Sequence, residues 1–357
     1  MSKERNSLIE LFRLISMWCV VAHHFVIHNA DAVSVFPNPV ARFTLNEVFI
    51  PIGKVAVGCF VFITVWFMAS RTSFGIKDAI KKIMLLHKEV VFYSIVLGAI
   101  SVFTGNQQFS LFLVIKTLFP IATGYGWWFI NSYAALILLL PYLMVGLRAC
   151  NKKGHRFLAQ SLTFVYGLFR YLPFVTFPAG GLLIDFIVLA VDICYFRWYI
   201  DLDITKWKSL ALIGVASFVL GIACNHLPYY SHGIIKEFAV NLFDGYVYSP
   251  ASILSMGLSF TLSLSVFKLS KVYHIKSTVI NWVAASALAV YLISEFQFVQ
   301  DFLWKSIFTF GNLGNQHGIL LVITIPSFVM ICCLAIDIAR RLITSQISNY
   351  INRSAHH

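Results

Sequence analysis

Charged side chains are scarce in this sequence. Of 357 residues, 12% are Asp, Glu, Lys or Arg, whereas 59% are hydrophobic. A soluble globular domain carries roughly twice that charged fraction, so the composition excludes an ordinary water-soluble fold. The apolar residues form repeated runs close to the length of about 20 residues that a helix needs to cross a bilayer. We therefore predict an all-α, polytopic integral membrane protein in contact with lipid.

Acidic residues are scarcer than basic ones, with 15 Asp and Glu against 27 Lys and Arg. In a soluble protein this excess would indicate nucleic-acid binding, but here the basic residues lie between apolar runs, where they indicate membrane orientation. If the N-terminus is cytoplasmic, most of the Lys and Arg residues fall in cytoplasmic segments. The segments on the opposite side then hold Arg42, Lys116, Lys236 and Lys305. This asymmetry predicts that both termini are cytoplasmic, and we expect no nucleic-acid partner.

Ten apolar runs are candidates for transmembrane helices, which predicts one transmembrane domain over 1–345 and a short cytoplasmic tail at 346–357. Two runs are weak, because one contains Arg170 and another contains Asp185 and Asp192. The ten runs lie at about 8–28, 48–69, 83–104, 127–147, 157–174, 182–200, 208–226, 249–268, 279–300 and 319–340.

Signatures of several classes of site are missing. The seven cysteines are scattered without metal-ligand or disulfide spacing, so we predict no metal site. No phosphate-binding loop or complete dinucleotide fingerprint occurs, so we predict no tightly bound cofactor. An inverted pair of helices broken by Gly or Pro, which is typical of many transporters, is also missing.

The first apolar run contains polar side chains that membrane helices rarely carry. At about 100° per residue, the step from Arg13 to His24 is about 20° beyond three full turns, so the two share a face, roughly 16 Å apart along the axis. Glu10 and His28 join that stripe, whereas His23 points about 100° away. Such groups are expensive in lipid, so we expect the stripe to face other helices or a water-filled cavity.

Two interpretations of this stripe remain open. In the structural one, Arg13 pairs with Glu10, and the histidines satisfy neighbouring backbone groups. In the functional one, His24 is a general base and Arg13 binds an anionic group, because imidazole exchanges a proton near neutral pH and guanidinium suits phosphate or carboxylate. We favour the functional interpretation for His24 and Arg13.

Arg13, ten further residues and then His24 on a first membrane helix resemble the signature of the acyltransferase 3 family. Ser294 stands where that family commonly has histidine, and Glu295 beside it is a candidate to take over the role. Other stretches that resemble the family, in the same order, are VGCFVFITVWFMASR at 57–71, IKKIMLLHKEVVFYSIV at 80–96, GWWFINSYAALILLLPYL at 126–143 and SALAVYLIS at 286–294.

The resemblance implies a membrane O-acyltransferase in the cytoplasmic membrane of a bacterium. It would transfer an acyl group, expected to be acetyl, from acyl-CoA to a hydroxyl of a surface or extracellular carbohydrate. His24, Arg13 and Glu295 are then the expected catalytic residues. The expected acyl-CoA ligands are basic side chains, namely Arg13, Arg71, Lys81, Lys82 and Lys88. Ordinary positive-inside anchoring is the alternative for all of them except Arg13, whose alternative is the pair with Glu10.

Trp127, Trp128 and His28 are the expected contacts of the carbohydrate acceptor. For the two tryptophans the alternative is an aromatic belt at the membrane interface. Two other functions remain open for the whole chain. One is a transporter or flippase for a polysaccharide precursor or other small molecule, with the polar stripe lining its path. The other is a non-catalytic membrane sensor.

Overall fold

The computed structural model describes residues 6–34, 36, 38–172, 182–240, 249–310 and 318–354. In these ranges every regular element is helical, which confirms the predicted all-α class. The main helices are α1 (Ser7–Ile27), α2 (Pro39–Ala69, with a π-helical turn at Leu45–Phe49), α3 (Ile76–Phe103), α4 (Leu111–Leu118), α5 (Trp128–Ala149), α6 (Lys152–Leu162), α7 (Leu182–Tyr199), α8 (Trp207–Tyr230), α9 (Ile253–Val272), α10 (Thr278–Ser294), α11 (Gln297–Ile307) and α12 (Gly318–Ser354). Shorter helical turns lie at Ala30–Ser34 and Pro120–Thr123.

Seven helices of the described part are long and apolar enough to cross a membrane, namely α1, α2, α3, α5, α8, α9 and α12. Helices α10 and α11 are apolar enough together but are bent by 79° relative to each other, as in a broken span or a re-entrant loop, so the described part has seven or eight crossings. The two weak runs do not qualify. Helix α7 carries Asp185, Asp192 and Arg197, and the run at 157–174, as far as the structure describes it, changes after Leu162 from α-helix to π and 3-10 turns. The chain is thus a polytopic membrane protein, while ten crossings and two cytoplasmic termini stay predictions.

The last helix is longer than the sequence pattern predicted. Helix α12 runs to Ser354, so residues 346–354 of the predicted tail continue it, and residues 355–357 lie outside the described part. The helix continues because no Pro or Gly interrupts it beyond Pro326.

Helix α1 lies at the centre of the bundle, in contact with α2, α9, α10 and α12. Asn6 caps its first turn, because the Asn6 side chain accepts the Leu8 N–H at 3.0 Å. Its apolar side chains Ala22, Phe25 and Val26 are completely buried. The stripe residues Glu10 and His24 are largely buried against protein, as the cost of polar groups in lipid predicted, whereas 29% of the Arg13 side chain is exposed.

A buried polar network joins α3 to α12. The Tyr93 hydroxyl donates to Asp337 Oδ1 at 2.6 Å, and Arg340 Nε donates to the same oxygen at 2.7 Å. Asp337 is completely buried. A buried carboxylate is tolerated where a cation and a hydroxyl satisfy it, so this network holds the two helices in register.

Candidate active site

The polar stripe of α1 begins with an ion pair. Arg13 Nη1 donates to Glu10 Oε2 at 2.6 Å, as the spacing of three residues on a helix allows. Glu10 is buried, whereas 29% of the Arg13 side chain is exposed. The pairing of Arg13 with Glu10 that the structural interpretation predicted is therefore present, and a binding role for Arg13 stays a prediction.

His24, in the second half of the stripe, contacts a carboxylate from a distant part of the chain. His24 Nδ1 lies 2.6 Å from Glu295 Oε1, and both side chains are largely buried. The two atoms are close, but they do not have the alignment of a regular hydrogen bond. Active-site hydrogen bonds are often poorly aligned before substrate binds. A carboxylate beside one imidazole nitrogen is the arrangement that orients a histidine base.

A break in the chain brings Glu295 to this position. Helix α10 ends at Ser294, and α11 leaves at 79° from Gln297 onward, so Glu295 stands at the bend. Gln300 Nε2 donates to Glu295 Oε2 at 3.0 Å, which holds the second carboxylate oxygen. Trp127 Nε1 donates to the Leu292 carbonyl at 3.1 Å and anchors the end of α10. The bend therefore has both a side-chain and a backbone support.

A narrow cavity lies beside His24, with about 40 Å³ accessible to water, which is room for a few water molecules. Its walls combine apolar side chains with a few polar groups. The lining residues are Met17, Val20, His23, His24, Gly53, Lys54, Val57, Phe60, Trp128, Phe129, Leu288 and Tyr291. A partly enclosed, mostly apolar cavity with a histidine in its wall is a candidate reaction site.

Lys54 in this wall was missed in the sequence analysis. It lies in the long apolar run of α2, and an ionisable residue at such a place is itself a signal of function. Its neighbour Gly53 permits close contact between α2 and α1, because a side chain there would overlap the His23 ring. The buried His23 ring interacts with the backbone carbonyls of Phe49 and Ile50, which agrees with a structural role.

A group of three cations lies near the other end of the stripe. Arg13 on α1 and Arg71, just after α2, are both within electrostatic range of Lys82 on α3. The backbone carbonyl of Arg71 accepts a hydrogen bond from Arg148 at 2.9 Å, which shapes this turn. Converging cations attract an anion such as a phosphate.

The remaining predicted site residues lie in different surroundings. Lys81 and Lys88 are exposed on the surface of α3. Trp128 lines the cavity, whereas Trp127 is buried, with its ring N–H bound to the end of α10. The His28 ring lies 6.0 Å from that of His24. The binding roles of these five residues stay predictions.

Ser294 occupies the position next to Glu295 at the end of α10. Ser294 is buried, and Glu295 rather than Ser294 contacts His24. In the described ranges, no group of three or more His, Cys, Asp or Glu side chains is arranged to hold a metal ion.

The chain was compared with protein families, curated proteins and solved structures. The family model described as an acyltransferase domain, that of acyltransferase 3, matches residues 6–348, which is nearly the whole chain. Neither a curated protein nor a solved structure matches the chain significantly. The match includes both ends of the polar stripe and the bend that carries Glu295.

Proposed function

Because the chain belongs to the acyltransferase 3 family, we propose that it is a membrane O-acyltransferase. It transfers an acyl group, acetyl in the simplest case, from acyl-CoA to a hydroxyl of a surface glycan. The observation that supports this most directly is the contact of His24 Nδ1 with Glu295 Oε1, at 2.6 Å, where His24 also lines a partly enclosed cavity. An oriented imidazole is the group that deprotonation of a hydroxyl requires.

His24 acts as the general base in this proposal. Glu295 holds Nδ1, so Nε2 is the nitrogen that takes the proton of the acceptor hydroxyl. The acceptor oxygen then attacks the thioester carbonyl, and His24 returns the proton to the departing CoA sulfur. Glu295 also stabilises the imidazolium that exists between these two transfers.

The three cations supply the donor site. Arg13, Arg71 and Lys82 bind the phosphates of acyl-CoA, and the pantetheine arm follows the stripe of α1 towards His24. With the N-terminus in the cytoplasm, these cations face the compartment that contains acyl-CoA. The His24 end, with Trp128 and His28, then faces the outer side of a bacterial cell membrane, where surface glycans are modified.

Ester-linked acetyl content of surface glycans in the source organism is the first test. A deletion strain is complemented with wild type, His24→Ala, Glu295→Gln or His232→Ala, at matched membrane levels. His232 is an exposed histidine outside the site, so its variant is the matched control. We expect wild type and His232→Ala to restore the esters. His24→Ala should abolish them, and Glu295→Gln should lower them at least tenfold, because the imidazole loses its anionic partner.

The results also separate the competing functions. Esters restored by His24→Ala would refute the assignment of the base. Equal acetylation in the deletion and complemented strains, together with movement of a glycan precursor in proteoliposomes without acyl-CoA, would instead favour a transporter.

A further inference from the structure

Lys54 is the one charged residue in the stretch from Val48 to Ala69, and it lines the cavity beside His24. Its Nζ lies 4.5 Å from the centroid of the Trp128 ring. Among the residues that the structure describes, none forms a hydrogen bond or ion pair with this ammonium group. A cation inside a membrane-spanning helix is unfavourable, so its position requires a physical reason.

Two carboxylates lie near Lys54 and partly offset the cost of burying its charge. Asp185 and Glu295 are both within electrostatic range of the ammonium. However, Asp185 Oδ2 accepts a hydrogen bond from Ser249 Oγ at 2.8 Å, and Glu295 contacts His24. The carboxylates thus lower the electrostatic cost of a cation in this place and leave its N–H donors available to a ligand in the cavity.

We infer that Lys54 is a catalytic residue, whose ammonium stabilises the negative charge on the thioester carbonyl oxygen during acyl transfer. This inference rests on the proposed function. His24 on α1 and Lys54 on α2 line the same cavity from two neighbouring helices. A carbonyl group between them would meet the attacking hydroxyl near His24 and the positive charge near Lys54.

The step balances without any further reactant. His24 takes the proton of the acceptor hydroxyl as the new C–O bond forms, and the carbonyl π electrons move onto the oxygen that Lys54 binds. When this electron pair returns, the C–S bond breaks, and the sulfur leaves with the proton from His24. Lys54 keeps its own proton throughout. A fixed cation acts strongly here because few water molecules screen it.

Steady-state kinetics of the purified full-length protein in lipid nanodiscs test this role. The donor is radiolabelled acetyl-CoA, and the acceptor is surface glycan extracted from the deletion strain. Lys54→Met keeps most of the side-chain length without the charge. We expect it to lower kcat by about 10²- to 10³-fold, the usual effect of removing one oxyanion-stabilising group, and to leave the KM for acetyl-CoA and the Tm unchanged.

Chemical rescue provides an independent readout. Lys54→Ala leaves space in the cavity wall, so added propylammonium should restore part of kcat, whereas uncharged propanol should not. A merely structural lysine would not show this dependence on charge. Equal effects of the two additives would therefore contradict the inference.

The double variant Lys54→Met/Asp185→Asn tests whether Lys54 only balances a nearby charge. If it does, the double variant regains activity relative to Lys54→Met, which would overturn the inference. If Lys54 acts on the carbonyl, the double variant folds but transfers acetyl as slowly as Lys54→Met. The double variant gives this result even when Lys54→Met alone does not fold. Transfer that requires His24 but not Lys54 would refute this inference alone. A wild-type protein that transfers no acetyl group would refute both the inference about Lys54 and the proposed function.

Discussion

The contact between α1 and α2 depends on the missing side chain of Gly53, and Gly53→Ala is a direct test of it. An added Cβ would lie 2.8 Å from the Cβ of His23 and 2.5 Å from its Cδ2. Carbon atoms in comfortable contact are about 3.5–4.0 Å apart. Because the His23 Cβ is attached to the backbone of α1, rotation of the ring cannot remove the whole overlap. The two helices must therefore separate by about 1 Å.

This separation should lower both stability and activity. Overpacking of a buried contact usually costs about 1–3 kcal/mol, so we expect a lower Tm for Gly53→Ala. The same displacement moves α2, with Lys54, away from His24. A misplacement of about 1 Å between reacting groups can lower a rate by about 10²-fold. We therefore expect kcat for acetyl transfer to fall by about that factor.

Thermal unfolding in detergent and acetyl transfer in nanodiscs measure the two effects. The matched control is Gly146→Ala on α5, where an added Cβ would meet no neighbouring atom within 4 Å. There the substitution should stabilise the helix by about 0.5–1 kcal/mol, because alanine loses less backbone entropy than glycine. A Gly53→Ala variant as stable and as active as Gly146→Ala would refute the reasoning about this contact.

Two further substitutions test other parts of the fold and site. Asp337→Ala removes the shared acceptor of Tyr93 and Arg340, while Arg340 keeps Glu89, and should lower the free energy of unfolding by about 2 kcal/mol. Asp203→Ala, in an exposed ion pair, should change it by less than about 1 kcal/mol, and equal shifts in Tm would contradict this difference. Lys82→Met should raise the KM for acetyl-CoA about tenfold, because a charge-assisted hydrogen bond contributes about 1.5–3 kcal/mol. The control for Lys82→Met is Lys116→Met, because Lys116 lies in α4, which follows the opposite end of α3 from Lys82. An equal KM for acetyl-CoA in the two variants would refute the donor site.

Local spacing determined much of what the sequence predicts about α1. The period of the α-helix alone places Arg13 and His24 on one face, and the three-residue interval alone allows Arg13 to pair with Glu10. The energetic cost of such groups in lipid predicts that the stripe faces other helices or a water-filled cavity, and the structure buries Glu10 and most of His24 among helices. The all-helical membrane fold follows in the same way from composition and run length.

Only the tertiary structure decided how the site is assembled. Glu295 is 271 positions from His24 along the chain, and a bend between two helices brings them together, which no local pattern encodes. Lys54 likewise lines the cavity because Gly53 lets α2 approach α1 closely beside His23. Helical periodicity relates residues a few turns apart on one helix. The distance between side chains on different helices depends on packing, which the whole chain determines together.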